Sequence, residues 1–438
     1  MRIAMIGTGY VGLVSGVCFS EFGFDVTCVD IDADKIARLN NKEIPIYEPG
    51  LDALVERNLE AGRLAFTTDL EGAVAAANVV FIAVGTPSRR GDGEADLTYV
   101  FDAARQVARV MTPGTVVVIK STVVVGTCRK VAQIIREERP DTEFSIASNP
   151  EFLREGSAIE DFMRPDRVVV GAEDERAEEA LRRLYRPLYL RETPILVSTL
   201  ENAELTKYAA NAFLALKITF INEIANLCEQ VGADVQKVAS GIGLDNRIGG
   251  KFLHAGPGFG GSCFPKDTSA LAATGARHGA PLRLVETTIE VNEARKRDMA
   301  TRILTALGPE TTGKRVGILG IAFKPNTDDV RDAPSLVIVP ALQAAGVEVV
   351  AHDPEAREQA EPLLPGVIWC DNPYDVANDV DVLAVVTEWN LYRGLAPEEL
   401  ATRMRGRSVI DMRNIWAGPD VEAAGLSYQG IGKPAAKG

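Results

Sequence analysis

The sequence predicts an α/β protein: two doubly wound, Rossmann-like domains joined by a central helical region. Three observations carry that expectation. A strand, GxGxxG, helix, strand, acid unit opens the chain and ends at Asp30. A second strand-turn-helix-strand-acid unit starts near Lys314 and ends at Asp353 without those glycines. Between them, from about Thr199, strand-like runs give way to apolar residues at three- and four-residue spacing, the period of a helix. These shifts set the expected boundaries at 1–198, 199–306 and 307–438. A chain of 438 residues is also too long for one ordinary core.

Composition narrows the class of function. The chain is 46% hydrophobic and 25% charged, as globular proteins are, and its formal net charge is -14. That balance argues against nucleic acid as a partner, because a phosphate backbone is held by concentrated Lys and Arg. It does not bar small anionic ligands, which a few local groups can hold. The opening MRIAMIGTGYVGLV reads as strand and turn, not as a targeting segment, and no run reaches the length of a membrane span. Six cysteines, at 18, 28, 128, 228, 263 and 370, form no CxxC pair, and histidines number three. Reduced thiols, a cytoplasmic setting and no metal site are expected.

Taken in order, Arg2 to Ile6 is an apolar strand, Gly7-Thr8-Gly9-Tyr10-Val11-Gly12 opens a helix to about Phe22, and Asp25 to Val29 is the next strand. Gly7 permits the tight turn, Gly9 lets backbone reach a pyrophosphate, and Gly12 allows close helix-strand packing. Asp30, at the strand end, would accept bonds from ribose hydroxyls and repel a 2′-phosphate, which favours NAD over NADP; the alternative is a solvated turn acid. Lys35 could equally be a surface charge. Val79 to Val84 and Thr115 to Ile119 are further strands, ending at Thr86 and at Lys120-Ser121-Thr122, where ligands of open parallel sheets lie. Such threonines also serve as helix caps.

Ser145 to Ala147 leads into Asn149-Pro150-Glu151-Phe152-Leu153-Arg154-Glu155-Gly156. Glu151 and Glu155 could act as base and binding group, or simply charge a helix start. Asp166 to Gly171 reads as the last strand of the domain. Ala203, Leu205, Ala209, Ala212, Phe213, Leu216, Phe220, Ile224 and Leu227 then predict one long buried helix. Lys207 and Asn211, four apart and about 6 Å from each other on one face, could hold a developing oxyanion. Lys207 could also reach solvent, with Asn211 bonded to a neighbouring element.

The stretch Arg247 to Asp267, RIGGKFLHAGPGFGGSCFPKD, is the most unusual in the chain. Gly256, Gly258, Gly260 and Gly261 free the backbone to curl, and a helix is predicted to start near Pro265. Cys263 is then at a helix mouth beside Lys266, where thiolate is favoured over thiol. Against this stands the ordinary role of cysteine as a small apolar filler. Helices at about Asp267 to His278 and Leu282 to Leu307 follow. In the last unit the turn bearing Lys324 and Arg331 is a seat for a phosphorylated ligand. Strands at Val382 to Thr387 and Ser408 to Ile410 come next. After Trp416 periodicity fades, and disorder is expected from Gly430 to Gly438.

GTGYVG, the acid at Asp30, GTPS, KST at Thr122, NPEFLREG, ENAELTKYAANAFLA, KFLHAGPGFGGSCFPKD and FKPNTDDVRDAPS together resemble the UDP-glucose 6-dehydrogenase family, in the same order over nearly the whole chain. The cysteine loop is the specific part of the likeness. The resemblance implies oxidation of the C6 alcohol of UDP-glucose to a carboxylate with two NAD consumed. It implies that Cys263 is the nucleophile, that Lys207 and Asn211 stabilise oxyanions, that Thr122 and Asp267 handle water, and that Glu151 is the general base. Toward NAD it implies Gly7, Gly9, Tyr10, Val11, Gly12, Asp30, Lys35, Thr86, Thr122, Glu155, Lys266 and Arg331. Toward the nucleotide sugar it implies Glu151, Phe152, Leu153, Arg154, Lys207, Asn211, Phe252, Leu253, His254, Gly256, Gly258, Gly260, Phe323, Lys324 and Arg413. At His254 the backbone matters more than the side chain. Arg247 resembles an arginine that reaches a neighbouring subunit's ligand, which with the apolar central helices implies a homodimer or higher oligomer.

The chemistry explains why such a cysteine is needed. An aldehyde has no easily transferred hydride until a nucleophile adds to its carbonyl, so a second oxidation at one carbon calls for a covalent thiohemiacetal and then a thioester. Two rivals share part of the pattern: a GDP-mannose or other nucleotide-sugar 6-dehydrogenase, and a non-catalytic sensor of NAD or nucleotide sugar.

Overall fold

The computed structural model describes residues 1–87, 89 and 93–434, without the side chains of Leu190 and Arg191. Ser88 of the GTPS motif and residues 435–438 of the tail lie outside them. The chain forms two compact units, Met1–Ala210 and Asn211–Gly438, whose boundary falls inside the helix Leu200–Val231. That helix alone is shared between the units; Val235–Gly243, Phe264–Arg277 and Arg283–Leu307 fall in the second.

In the first unit eight strands form one sheet: β1 (Arg2–Ile6), β2 (Asp25–Val29), β3 (Leu64–Thr67), β4 (Val79–Ile82), β5 (Thr115–Ile119), β6 (Phe144–Ser148), β7 (Val168–Ala172) and β8 (Ile195–Ser198). Their order is β3-β2-β1-β4-β5-β6-β7-β8. Pairing is parallel except between β6 and β7, so the last two strands run against the rest. The chain order reverses between β1 and β4, and ligands of such sheets sit at the carboxyl ends of the strands beside that switch. Strand β7 is therefore not the last of the unit, as expected from sequence. The apolar residues of β1, β4 and β5 are buried on both faces, as strands covered by helices on each side must be.

The second unit carries six parallel strands: β9 (Arg315–Leu319), β10 (Glu348–His352), β11 (Ile368–Trp369), β12 (Val382–Val385), β13 (Ser408–Asp411) and β14 (Ser427–Gly430), ordered β11-β10-β9-β12-β13-β14. Asp353, which matches Asp30 in position, accepts from Ile321 N at 2.7 Å, Ala322 N at 2.9 Å and Trp389 Nε1 at 3.2 Å. Its carboxylate is used up by the unit's own turn. The tail is not disordered where the structure describes it. Gly418–Ala423 is a helix, Tyr428 Oη donates to Asp411 at 3.0 Å, Ile431 is buried, and Gly432 N donates to Glu229 at 2.8 Å.

The helix Leu200–Val231 corrects a second expectation. Ala203, Ala212, Ala215, Ile221, Ala225 and Cys228 are buried, but Phe213, Phe220 and Leu227 are 63%, 46% and 56% exposed. A three-to-four spacing is satisfied by either face of a helix, so periodicity alone reported burial where half of the apolar residues face outward. Among the described residues no helix is long and apolar enough to cross a membrane, and no cluster of three metal-ligating side chains occurs.

Candidate active site

The glycine turn after β1 is shaped for close approach. Gly7 has φ +99 and a Cβ there would lie 2.8 Å from the Ala83 carbonyl oxygen; a Cβ on Gly12 would meet the Gly7 oxygen at 2.0 Å. Neither position accepts a side chain. At Gly9 nothing lies within 4 Å of the added carbon, and Gly9 caps the helix Tyr10–Glu21 without any side-chain bond to its first amides. The open space at Gly9 lies at the start of that helix, an arrangement suited to a pyrophosphate. Asp30 stands at the end of β2. Its Oδ2 accepts from Thr8 N at 2.9 Å, Thr8 Oγ1 at 2.6 Å and Lys35 Nζ at 3.2 Å, while Oδ1, among the described residues, accepts from Asp32 N at 3.1 Å. Burial alone would raise its pKa, but the Thr8 and Asp32 hydrogen bonds and the Lys35 charge bring it below the ordinary value. Oδ1 keeps room for a ribose hydroxyl. These groups fit NAD.

Next to the switch point Thr86 Oγ1 donates to the Thr122 carbonyl at 3.0 Å, tying the ends of β4 and β5 together. Beyond β6, Glu151 and Lys207 form a buried ion pair: Oε1 to Nζ is 3.1 Å, with side chains 5% and 4% exposed. The Lys207 ammonium does not reach for solvent. Phe152 lies under the Arg167 guanidinium at 3.6 Å and faces Lys207 Nζ at 5.2 Å. Leu153 N donates to Glu151 Oε2. Arg154, in contrast, is exposed and turned onto Asp161, with Nη2 2.6 Å from Oδ1 and Nε 2.9 Å from Oδ2. It fastens its own loop.

Sequence reasoning missed two buried residues here. Glu48 receives the Tyr10 hydroxyl, Gly156 N at 2.7 Å and Ala158 N at 2.8 Å, and so bridges the glycine turn to the segment after Glu155. Lys120, fully buried, places Nζ 3.2 Å from Asn149 Oδ1 and 3.4 Å from Tyr185 Oη. Burial pushes its ammonium down to about 8, the Glu151 charge opposing and the Lys207 charge adding to that fall. Folding then favours the neutral amine. The penalty is full below that pH and fades as pH rises toward the unfolded value of about 10.4. We expect the parent protein to gain ~2–3 kcal/mol relative to Lys120→Met between pH 8 and 10.4, read by urea unfolding at several pH values; parallel curves would exclude it. Neither residue carries a local signal, since their partners lie far along the chain.

The cysteine loop belongs to the second unit. Cys263 caps the helix Phe264–Arg277, with Pro265 in its first turn, and its Sγ lies 3.5 Å from Ser262 Oγ. Burial pushes the thiols of Cys18, Cys28, Cys128, Cys228 and Cys370 up, toward inert side chains. Lys266 is engaged: its Nζ is 2.6 Å from Oδ1 of Asp267, which is 1% exposed, and Asn211 Nδ2 donates to the other oxygen at 2.6 Å. Its charge thus compensates Asp267 and is not reserved for the sulfur. Phe252 has φ 65, in the left-handed region that favours glycine, and this is local strain at the loop's entrance. Leu253 is buried and the His254 side chain exposed.

Close approach explains the remaining glycines. A Cβ on Gly260 would meet the Asp332 oxygen at 2.4 Å, one on Gly261 the Phe323 ring at 2.7 Å, and one on Gly256 Arg413 Nη1 at 3.0 Å. Phe323, Lys324 and Arg413 therefore border the loop or the turn packed on it, with Lys324 Nζ 5.3 Å from the Phe323 ring. Arg331 is turned onto Asp329 at 2.8 Å, and Arg247, 90% exposed, onto Asp245 at 2.6 Å.

Residues 1–189 match the NAD binding domain of the UDP-glucose/GDP-mannose dehydrogenase family, 201–294 its central domain and 317–418 its UDP binding domain. A UDP-glucose 6-dehydrogenase of Rhizobium meliloti (strain 1021) is 56% identical over 436 residues, 99% of this chain and 100% of that one. The UDP-glucose 6-dehydrogenase TuaD of Bacillus subtilis (strain 168) is 47% identical over 100% of this chain and 94% of its own. Among solved structures, a UDP-glucose dehydrogenase from Pyrobaculum islandicum superposes with a TM-score of 0.90 at 41% identity, covering 99% and 98% of the two chains.

Proposed function

The chain belongs to the UDP-glucose/GDP-mannose dehydrogenase family and is an NAD-dependent dehydrogenase; from that premise we propose that it oxidises the C6 alcohol of UDP-glucose twice, to UDP-glucuronate. The observation that carries this reading is Cys263 at a glycine-lined helix start, four residues before an Asp267 held by Asn211 and Lys266. A single-step alcohol dehydrogenase needs no such thiol, and a sensor needs none of these groups.

In this reading Glu151 takes the proton of the C6 hydroxyl in the first oxidation, and Lys207 balances the charge that develops on oxygen. Bound NAD supplies the acceptor for the hydride lost in each of the two oxidations. The Cys263 thiolate adds to the aldehyde carbon, and the carbonyl oxygen, taking up a proton, becomes the hydroxyl of a thiohemiacetal. Loss of that proton and of the second hydride leaves a thioester. Water, positioned by Thr122 and Asp267, then attacks the thioester carbon; the C–S bond breaks and Cys263 leaves as thiol. Lys207 and Asn211 stabilise the tetrahedral oxyanions. Phe152, Leu153, the 252–260 backbone, Phe323, Lys324 and Arg413 hold the nucleotide sugar. Tyr10, Val11, Lys35, Thr86, Glu155 and Arg331 serve NAD, with Asp30 on the ribose.

The deciding experiment is the stoichiometry of NADH formed per UDP-glucose, with GDP-mannose and UDP-N-acetyl sugars in parallel. Two NADH per UDP-glucose are expected. One NADH, or a strong preference for GDP-mannose, would overturn the proposal. Asp30→Ala should weaken NAD binding roughly 10-fold and narrow the preference over NADP, because one charged acceptor and one repulsion are removed together. Cofactor titrations that leave the ratio unchanged would rule out the ribose role.

We further propose a homodimer. Phe213, Phe220 and Leu227 recur every seven residues, so they form one exposed apolar stripe on a long helix, the pattern of a helix-helix seam. Arg247 then reaches the partner subunit's ligand. Phe213→Glu with Phe220→Glu should give monomers in sedimentation, and an unchanged oligomer would refute this surface.

A further inference from the structure

Two residues of the cysteine loop have both their backbone groups bonded to side chains. Gly256 N donates to Asn222 Oδ1 at 2.8 Å, and the Gly256 oxygen accepts from Arg295 Nε at 3.0 Å. Three residues on, Phe259 N donates to Asn292 Oδ1 at 2.8 Å, and the Phe259 oxygen accepts from Nδ2 of the same amide at 3.0 Å. Asn222, Asn292 and Arg295 are each 3% exposed.

Buried peptide groups need partners, and a loop has no sheet ladder to supply them. Here the helices Leu200–Val231 and Arg283–Leu307 supply them through side chains. A primary amide suits Phe259 because it offers a donor and an acceptor at once. Gly258, between the two held residues, has φ +116, and a Cβ there would crowd Asn292 Oδ1 at 3.0 Å. The glycine and the amide are fitted to each other. A pocket of about 130 Å³ is lined in part by Thr219, Asn226 and the three side chains.

We propose that Asn222, Asn292 and Arg295 are positioning residues. They clamp the Gly256–Phe259 backbone, and through it set the place of Cys263 four residues later and of the loop that holds the nucleotide sugar. The part concerning substrate rests on the function proposed above. The part concerning Cys263 does not.

The test compares Asn292→Leu, which removes both bonds at nearly constant size, with Asn292→Asp, which keeps the acceptor alone. Three readouts are taken: KM for UDP-glucose, NAD affinity by titration, and the rate of iodoacetamide alkylation at the Cys263 peptide by mass spectrometry. Asn292→Leu should raise the UDP-glucose KM at least 10-fold, leave NAD affinity within twofold, and change Cys263 alkylation severalfold, with Asn292→Asp in between. A folded Asn292→Leu protein with unchanged KM and alkylation overturns the clamp. So does an equal loss toward both ligands, the mark of general damage. Should Asn292→Leu not fold, Asn222→Ser, which loses one bond, is judged by the same criteria. If the parent protein does not oxidise UDP-glucose, the functional reading fails while the alkylation rates still decide the clamp.

Discussion

Cys263→Ser is expected to lose steady turnover by at least about 10³-fold while nucleotide-sugar binding stays within about twofold of the parent. Serine keeps the size and the hydrogen-bonding reach of the side chain, so the loop and the Phe264–Arg277 helix cap should persist. What changes is the nucleophile. A hydroxyl is far less ionised than a thiol near neutral pH, and the nearby Asp267 carboxylate is already bonded to Asn211 and Lys266. The aldehyde would then not be captured, and the second oxidation would stop. The measurement is NADH per UDP-glucose in a burst and at steady state, with binding followed by calorimetry. Full two-NADH turnover in the serine variant would remove the covalent step from the mechanism.

What could be read from the chain beforehand follows from distance along it. The glycine turn at 7–12, the acid at 30 and the cysteine loop are each contiguous runs of unusual composition, so the pattern was legible even though the contacts that require Gly256, Gly260 and Gly261 come from Arg413, Asp332 and Phe323 far along the chain. Strands β3, β8, β11 and β14 have two to four residues and too little alternation to stand out. Burial of the long helix was misread because the same period serves an outward face. The bonded partners of Glu48, Lys120, Asn222, Asn292 and Arg295 could not be found, since their bonds join residues 29 to 110 positions apart. Side chains that hold a site together from afar leave no local spacing to recognise.

Lys207→Met separates the structural part of the first unit's buried pair from its chemical part. Removing the ammonium leaves the Glu151 carboxylate buried with the Leu153 amide still bonded to it but without its cation, a loss that costs about 3–5 kcal/mol when one member of a buried ion pair is deleted. For a unit of this size that is a fall in Tm of roughly 10 °C. Lys207→Met with Glu151→Gln removes the stranded charge, keeps an acceptor for Leu153, and should recover most of the stability. Turnover should not recover, because an amide takes no proton and the oxyanion has lost its cation, a combined loss on the order of 10³-fold or more. Thermal unfolding and NADH kinetics on the three proteins decide between the roles. Recovered activity in the double variant would show that the pair only holds the fold, and an unperturbed Tm in the single variant would show that it does not hold even that.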